Sequence, residues 1–331
     1  MNKKRFLAAI ISVALLTLFL SGCGTVKKNN INIEDNGKLN IVTTLFPYYD
    51  FVRQIAGDKV NLTMIVPAGM DTHSYEPTTD DMINISKADI FIYNGGTIEH
   101  WADRVLDSSK NDFTILRMMD YVDIVTEEHK EGMEDSHEHS DDHDDSDKHN
   151  DEHEEEEYDE HIWTSPANAV ILVNQICDTL KSADPDNADY YQTNCDNYVT
   201  QLDNLDKEFK DVVDHARVKT LVFADKFPLR YFVDEYGLDY YAAFSGCSTD
   251  TEPSVDTVKF LIDKVKKEKI STVYYLELSS TKIADTICSS TGAKKSIFYS
   301  CHNVTQKQFN DGITYVKMME ENVKALKKGL E

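Results

Sequence analysis

The amino-acid sequence predicts an α/β protein of two lobes that are joined by one long helix. Three observations indicate this fold class. Short apolar runs alternate with helical patterns before residue 127, one long helical pattern runs from Asn187 to about His215, and the alternation then returns. Strands that alternate with helices are typical of a parallel sheet with helices on its faces. The length of the chain exceeds one typical core, which also favours two lobes.

The first half of the chain supplies the predicted N-terminal lobe, residues 39–185. Apolar runs predict strands at Leu39–Leu45, Val60–Val66 and Asp89–Tyr93. Apolar residues at helical spacing predict helices at Pro47–Gly57, Thr78–Ala88 and Ile98–Ser109. Pro166 stands at the first position of a further helix, which Asp184-Pro185 ends after about Ala183.

The second half supplies the predicted linking helix, residues 186–215, and the C-terminal lobe, residues 216–331. Tyr198, Leu202 and Phe209 recur at helical spacing in the linking segment. Strands are predicted at Thr220–Ala224, Leu238–Phe244, Thr272–Leu276 and Lys295–Tyr299. Helices are predicted at Phe227–Tyr236, Val255–Lys267, Lys282–Thr291 and Phe309–Leu326.

The N-terminus predicts export and a lipid anchor. Three basic residues precede the apolar stretch Phe6–Leu20, which has the length of a signal peptide and is short for a membrane span. The stretch ends in Leu20-Ser21-Gly22-Cys23, which resembles the bacterial lipobox. We therefore expect a lipoprotein signal peptide at 1–22, lipid-modified Cys23 at the extracytoplasmic face of the membrane, and a tether at 23–38. An ordinary cleaved signal with an incidental cysteine is the alternative.

An acidic, histidine-rich segment interrupts the N-terminal lobe. From Glu127 to Glu160 the chain has 19 acidic and 2 basic residues, so that this segment holds −17 of the total net charge of −25. So polar a segment predicts a disordered loop at about 127–160, and the strong negative charge excludes nucleic acid as a partner. Imidazole and carboxylate together favour metal contact over a merely solvated charge run. The predicted metal contacts in the loop are His137, His139, His143, His149 and His153.

Further metal-capable residues follow the predicted strands. His73 comes after the strand that ends at Val66, Glu277 ends the strand Thr272–Leu276, and Cys301 and His302 follow the last strand, while His161 closes the acidic loop. In open parallel sheets, ligands bind where the carboxyl ends of strands meet loops. The sequence therefore predicts that these side chains lie at one edge of the two lobes.

Several motifs resemble those of one family. They include GMDTHSYEPTTDD at 69–81, ADIFIYNGGTIEHWAD at 88–103, DEHIWTSPANA at 159–169, YGLDYYAAF at 236–244 and TYVKMMEENVKAL at 314–326. Together they resemble the zinc/manganese-type (cluster A-I) substrate-binding lipoproteins of metal ABC transporters, in the zinc-type branch that carries an acidic His-rich loop. The resemblance implies a C-clamp with a rigid linking helix, one metal ion held between the lobes, and an ABC permease and ATPase as partners.

The resemblance also implies a ligand set. His73 and His161 match the first two ligand histidines of the family, whereas the third ligand position falls on Ala224, which cannot bind a metal ion. His302 matches the region of the fourth ligand, with Cys301 as a rival. Water, Glu277, Asp225 or a group from the loop would complete the coordination, and Glu277 matches a residue that more often supports the ligands than binds the metal.

Three imidazoles favour Zn²⁺ over Mn²⁺, because manganese sites lean toward carboxylate oxygens. The predicted function is that of an extracytoplasmic receptor that captures a divalent metal, delivers it to an importer, acts as a monomer and is not an enzyme. A surface metal-buffering protein or adhesin is the alternative. A zinc hydrolase is less favoured, because the sequence contains no HExxH motif.

Overall fold

The computed structural model describes residues 36–108, 113–134, 157–248 and 252–331. The predicted signal peptide, Cys23, the tether as far as residue 35 and the five predicted loop ligands lie outside these ranges. Within the described ranges, no helix combines the length and the apolar composition that a bilayer crossing requires.

The first sheet is parallel throughout and has four strands. They are β1 at Asn40–Thr43, β2 at Asn61–Met64, β3 at Ile90–Tyr93 and β4 at Thr114–Arg117, in the order β2-β1-β3-β4. Its helices are α1 at Phe46–Ala56, α2 at Thr79–Ser86, α3 at His100–Ser108 and α4 at Pro166–Ala183. The sequence patterns missed β4, because the strand has only four residues and two of them are exposed.

The linking helix, α5, runs from Ala188 to Asp214 and confirms the long helical pattern. The second sheet contains β5 at Thr220–Phe227, β6 at Asp239–Ser245, β7 at Thr272–Leu276 and β8 at Lys294–Phe298, in the order β6-β5-β7-β8. Its helices are α6 at Arg230–Tyr236, α7 at Val255–Glu268, α8 at Lys282–Thr291, α9 at Gln306–Asn310 and α10 at Tyr315–Leu330. The predicted fold class, two parallel-sheet lobes flanked by helices, is therefore confirmed.

Two predicted helices of the second lobe differ from the structure. The helix predicted from Phe227 begins only at Arg230, because β5 continues to Phe227. The helix predicted at Phe309–Leu326 is two helices. Gly312 between them has a left-handed φ of 73°, and the Thr314 side chain then caps α10 by accepting from the Lys317 N–H.

The structure describes both ends of the loop predicted at about 127–160. The Glu127 N–H donates to the Glu157 carbonyl at 2.8 Å, and the Glu134 N–H donates to the carbonyl of Ala243 in β6 at 3.0 Å. These hydrogen bonds provide partners for backbone groups that the composition of the segment predicted to be exposed to solvent. The ends of the acidic segment therefore lie against the second lobe as well as the first.

One apolar core reaches from the first sheet through α5 to the second sheet. Phe91 of β3, Tyr198 of α5 and Tyr274 of β7 all belong to it and are almost fully buried. A smaller apolar cluster, which includes Val222 and Leu261, lies between the second sheet and α7 and α8. Because the two sheets share the larger core, the described part of each lobe is supported by the other.

Asp50 is a fully buried carboxylate at the centre of this shared core. It accepts from Arg53 at 2.5 Å, from the Gln54 amide at 2.9 Å, from the Tyr198 hydroxyl at 3.3 Å and from the backbone N–H of Tyr315 at 2.6 Å. These partners belong to α1, α5 and α10. A single side chain thus ties the first lobe to the linking helix and to the last helix.

We predict that Asp50→Asn lowers the free energy of unfolding by about 3 kcal/mol, because it removes the charge that pairs with Arg53 and replaces one of the two accepting oxygens by an NH₂ donor. Urea denaturation should show a lower midpoint with an unchanged slope. Asp186→Asn is the matched control, since Asp186 is exposed. Equal midpoints for the two variants would contradict this role of Asp50.

Candidate metal centre

A cavity of about 370 Å³ lies at the carboxyl ends of strands from both sheets. His73 lies on the segment after β2, Glu277 follows β7, and His302 lies on the segment after β8. His161 precedes the short 3₁₀ turn Ile162–Thr164, which leads into α4. The cavity therefore brings together four of the five residues that the sequence predicts at one edge, all but Cys301.

The three histidines of this cavity form one cluster. Ring centroids are 5.8 Å apart for His73 and His161, 5.3 Å for His73 and His302, and 5.4 Å for His161 and His302. One ring nitrogen of each lies within 4.8 Å of the others. In the described part of the chain this is the one group of three or more His, Cys, Asp or Glu side chains with such spacing. The three rings can therefore face a single ion.

His161 is fully buried, and Asp159 fixes its orientation. The Asp159 carboxylate accepts from the backbone N–H of His161 at 2.8 Å and lies 3.1 Å from Nδ1 of the ring. A proton on Nδ1 leaves the lone pair on Nε2, and Nε2 is buried without a hydrogen-bond partner in the described structure. A carboxylate behind a ligand histidine is the usual support for a metal site. The sequence analysis did not single out Asp159, although it stands two residues before His161.

Gly246 makes room for this pair. A Cβ atom at this position would lie 3.3 Å from the Asp159 carboxylate, 3.3 Å from the His161 ring and 3.0 Å from the Phe227 carbonyl. A side chain here would press on both members of the pair. The glycine in the segment after β6 thus allows the second lobe to cover His161.

His302 is held by the segment that follows β8. The Thr72 hydroxyl lies 2.6 Å from its Nε2, and its backbone N–H donates to the Ser300 hydroxyl at 3.2 Å. Cys301, immediately before it, has a φ of 61°, a strained conformation for a residue with a side chain. This turn places the Cys301 thiol in the apolar core and His302 in the cavity. Cys301, predicted as a rival ligand, is therefore not brought to the three histidines.

Burial favours the neutral form of His73 and of His302. It lowers the pKa of His73 to about 3, with further lowering by the neighbouring His161 and by the Lys226 ammonium group. Burial also lowers the pKa of His302 well below its ordinary value, with the neighbouring His73 as the next cause. Neutral rings present lone pairs rather than protons to an ion that enters the cavity.

The two carboxylates predicted as additional ligands line the cavity, but each has other partners. Glu277 accepts from the backbone N–H and the hydroxyl of Ser300, both at 2.8 Å, and its burial raises its pKa to about 7. Asp225 accepts from the backbone N–H groups of Lys226 at 2.9 Å and Leu276 at 3.0 Å, and burial raises its pKa. Both carboxylates connect strand ends of the second sheet and support the cavity wall.

Lys226 lines the cavity close in sequence to Ala224, the position where the resemblance places a third ligand. Ala224, Asp225 and Lys226 all line the cavity, and the pairing of β5 with β6 shifts register between Phe223 and Lys226. Among the described contacts, the hydrogen bond between Asp225 and Lys226 comes from the Lys226 backbone N–H.

Two parallel-sheet lobes around a buried cluster of three histidines define a two-lobed, metal-binding protein of the periplasmic-binding-protein class. The family described as "ZnuA: Zinc-uptake complex component A periplasmic" matches residues 41–329. The chain belongs to this family, which confirms the resemblance seen in the sequence motifs.

Two curated relatives show how far the similarity extends. The chain is 33% identical over 321 residues to the zinc-binding lipoprotein AdcA of Streptococcus pneumoniae (strain ATCC BAA-255 / R6), which covers 96% of this chain and 60% of that protein. It is 31% identical over 324 residues to the high-affinity zinc uptake system protein ZnuA of Bacillus subtilis (strain 168), covering 98% and 97%. The chain thus spans about 60% of the length of AdcA and nearly all of ZnuA.

Solved structures give the same picture. The crystal structure of the Zn(II)-bound ZnuA-like domain of Streptococcus pneumoniae AdcA matches with a TM-score of 0.70 and 31% identity, over 89% of this chain and 99% of that one. The metal-dependent lipoprotein YcdH of Bacillus subtilis matches with a TM-score of 0.72 and 28% identity, over 88% and 99%. The fold is therefore that of known metal-binding lipoproteins.

The lowered pKa of His73 predicts a pH dependence of stability in the metal-free protein. Below about pH 6.5 the unfolded chain binds a proton at this residue, whereas the folded chain binds it only near pH 3. The contribution of neutral His73 to the free energy of unfolding should therefore be fully present above pH 6.5 and should be lost as the pH is lowered toward 3. Calorimetry with a chelator should show a smaller loss of Tm between pH 7.5 and 5 for His73→Gln than for wild type.

His215→Gln is the matched control for this measurement, because His215 is exposed near the end of α5. It should keep the pH dependence of the wild type. If Tm depends on pH in the same way for His73→Gln and His215→Gln, protonation of His73 is not the cause of the loss of stability at low pH.

Proposed function

We propose that this protein is an extracytoplasmic receptor that captures Zn²⁺ with His73, His161 and His302 and delivers it to the permease of an ABC importer. One observation carries the proposal. Nε2 of His161 is fully buried without a hydrogen-bond partner in the described structure, while Asp159 occupies the other ring nitrogen. An unpaired buried acceptor is costly, and a metal ion shared with two further imidazoles would satisfy it.

The donor set suits zinc. Zn–N distances of about 2.0–2.1 Å in a tetrahedral site place ligand nitrogens about 3.3 Å apart. The ring nitrogens here lie within 4.8 Å of one another, so small side-chain rotations would bring them onto one ion. Three nitrogen ligands leave one tetrahedral position open. The names of the relatives AdcA and ZnuA, a zinc-binding lipoprotein and a zinc uptake protein, support the same metal.

The site is better suited to capture and release than to catalysis. Glu277 and Asp225 are the carboxylates of the cavity wall that could act as a general base. Both accept hydrogen bonds from backbone or hydroxyl donors instead. Membership of a zinc-uptake family supports a receptor over the hydrolase alternative. Transport requires that the ion leave again, so the ligand set needs high affinity without a permanently closed coordination shell.

The anchor, the partners and the loop complete the proposal. Lipid modification at Cys23 would hold a monomeric receptor at the extracytoplasmic face, beside the permease and ATPase that a zinc-uptake component serves. The loop histidines, His137 to His153, would bind zinc weakly at many sites and raise its local concentration near the cavity. The ends of this loop are joined by hydrogen bonds two residues before His161, which places its exit close to the cluster.

We predict that His302→Ala lowers zinc affinity by about two orders of magnitude, because it removes one of three nitrogen ligands. Competition with a chromophoric chelator measures the affinity, and metal analysis of the purified protein measures the stoichiometry. His100→Ala is the control, since His100 is exposed and lies outside the cavity. Retention of one tightly bound zinc by His302→Ala would remove His302 from the ligand set.

We predict that deletion of residues 135–156 lowers zinc uptake by cells when zinc is scarce and leaves it unchanged when zinc is plentiful. This deletion keeps Glu134 and Glu157, whose backbone bonds hold the ends of the loop. Isotope uptake at limiting and at saturating zinc separates the two conditions. A control loop of the same length and charge, with its histidines replaced by Asn, isolates the role of imidazole. Wild-type uptake under scarcity in both variants would reject a role for the loop.

A further inference from the structure

Lys226 brings a positive charge into the cavity that holds the three histidines. It is the only Lys or Arg among the described residues that line this cavity. Across the described ranges, its ammonium group has no ion pair and no side-chain hydrogen bond, because its recorded contact with Asp225 uses the backbone N–H. The lysine thus lines the same cavity as the three histidines, and its ammonium group makes no direct hydrogen bond in the described structure.

A lysine next to a bound cation requires compensation. Like charges repel strongly in a partly buried cavity. The carboxylates of the cavity wall supply negative charge but no free oxygen for Lys226, because Asp225 and Glu277 each have both oxygens bound to other donors. Asp71 accepts from the His73 backbone N–H at 2.9 Å and is exposed. A negative charge from outside the protein would satisfy both the ammonium group and the ion.

The cavity has room for such an anion. Its volume of about 370 Å³ greatly exceeds the roughly 30 Å³ of one water molecule and falls in the range of about 300–1,000 Å³ for small-molecule sites. Beside the polar groups it is lined by apolar side chains, among them Leu276, Leu278 and Ile283. Polar groups at one end and apolar walls around them are typical of a site for a small organic ligand.

We propose that the cavity takes the metal ion together with a small carboxylate, which fills the open coordination position and binds the Lys226 ammonium group. The chemistry follows from the two oxygens of a carboxylate. One oxygen binds zinc as a fourth ligand, and the other accepts a charge-assisted hydrogen bond from Lys226. The proposal rests on the proposed function, because it requires a metal ion on the three histidines.

Cobalt(II) substitution tests the proposal, since the visible absorption of tetrahedral cobalt changes with its fourth ligand. Acetate is titrated into the cobalt-loaded protein, with sodium perchlorate at matched ionic strength as the reference. The wild type should show a saturable spectral change with acetate and none with perchlorate. Lys226→Gln should bind one cobalt and require about tenfold more acetate for the same change. Lys226→Arg, which keeps the charge, should respond like wild type.

Lys207→Gln is the control for loss of a charge, because Lys207 is exposed on α5. Circular dichroism confirms that each variant is folded. A wild-type spectrum that does not respond to acetate overturns the proposal, and so does an equal response in Lys226→Gln. Loss of cobalt itself in folded Lys226→Gln would also overturn it, because Lys226 would then be a ligand. If the wild type binds neither zinc nor cobalt, the proposed function fails and this inference fails with it.

Discussion

The geometry of the candidate site depends on His161 and the carboxylate behind it. Asp159 directs the ring through Nδ1 and leaves Nε2 buried and unpaired. The other two imidazoles come from segments after β2 and β8, which belong to different sheets. Because the strands of both sheets end at this cavity, side chains that are more than 200 residues apart in sequence lie close enough together to bind one ion. A parallel sheet makes this convergence possible, since all its strands point the same way.

Burial supports the cluster in a second way. It keeps His73 and His302 neutral, so that a metal ion does not have to displace protons at neutral pH. It also makes every unpaired polar group expensive, which is why Glu277 and Asp225 are held by backbone donors. The carboxylates of the cavity wall therefore have hydrogen-bond partners, while Nε2 of His161 is left to interact with a metal ion.

Sequence patterns were sufficient for seven of the eight strands, for the linking helix and for the meeting of three histidines at one edge, because strand ends and helical spacing are local signals. They were insufficient where tertiary contacts decide. Lys226 lines the cavity next to an irregularity in the pairing of β5, whereas the sequence drew attention to Ala224. The left-handed turn at Cys301 sends its thiol into the core, although the sequence offered it as a ligand. The hydrogen bonds at the ends of the acidic loop likewise join segments that are far apart in the chain.

The shared core constrains how the proposed receptor can capture a metal ion. Asp50 connects α1, α5 and α10, and the same apolar core contains residues of both sheets. A wide hinge motion would break these contacts and expose buried aromatic side chains, which is costly. Rotation of the imidazoles and movement of the exposed segments around Met70 and Leu278 require no such loss. We therefore expect metal capture to proceed by local rearrangement at the mouth of the cavity, with the two lobes nearly fixed.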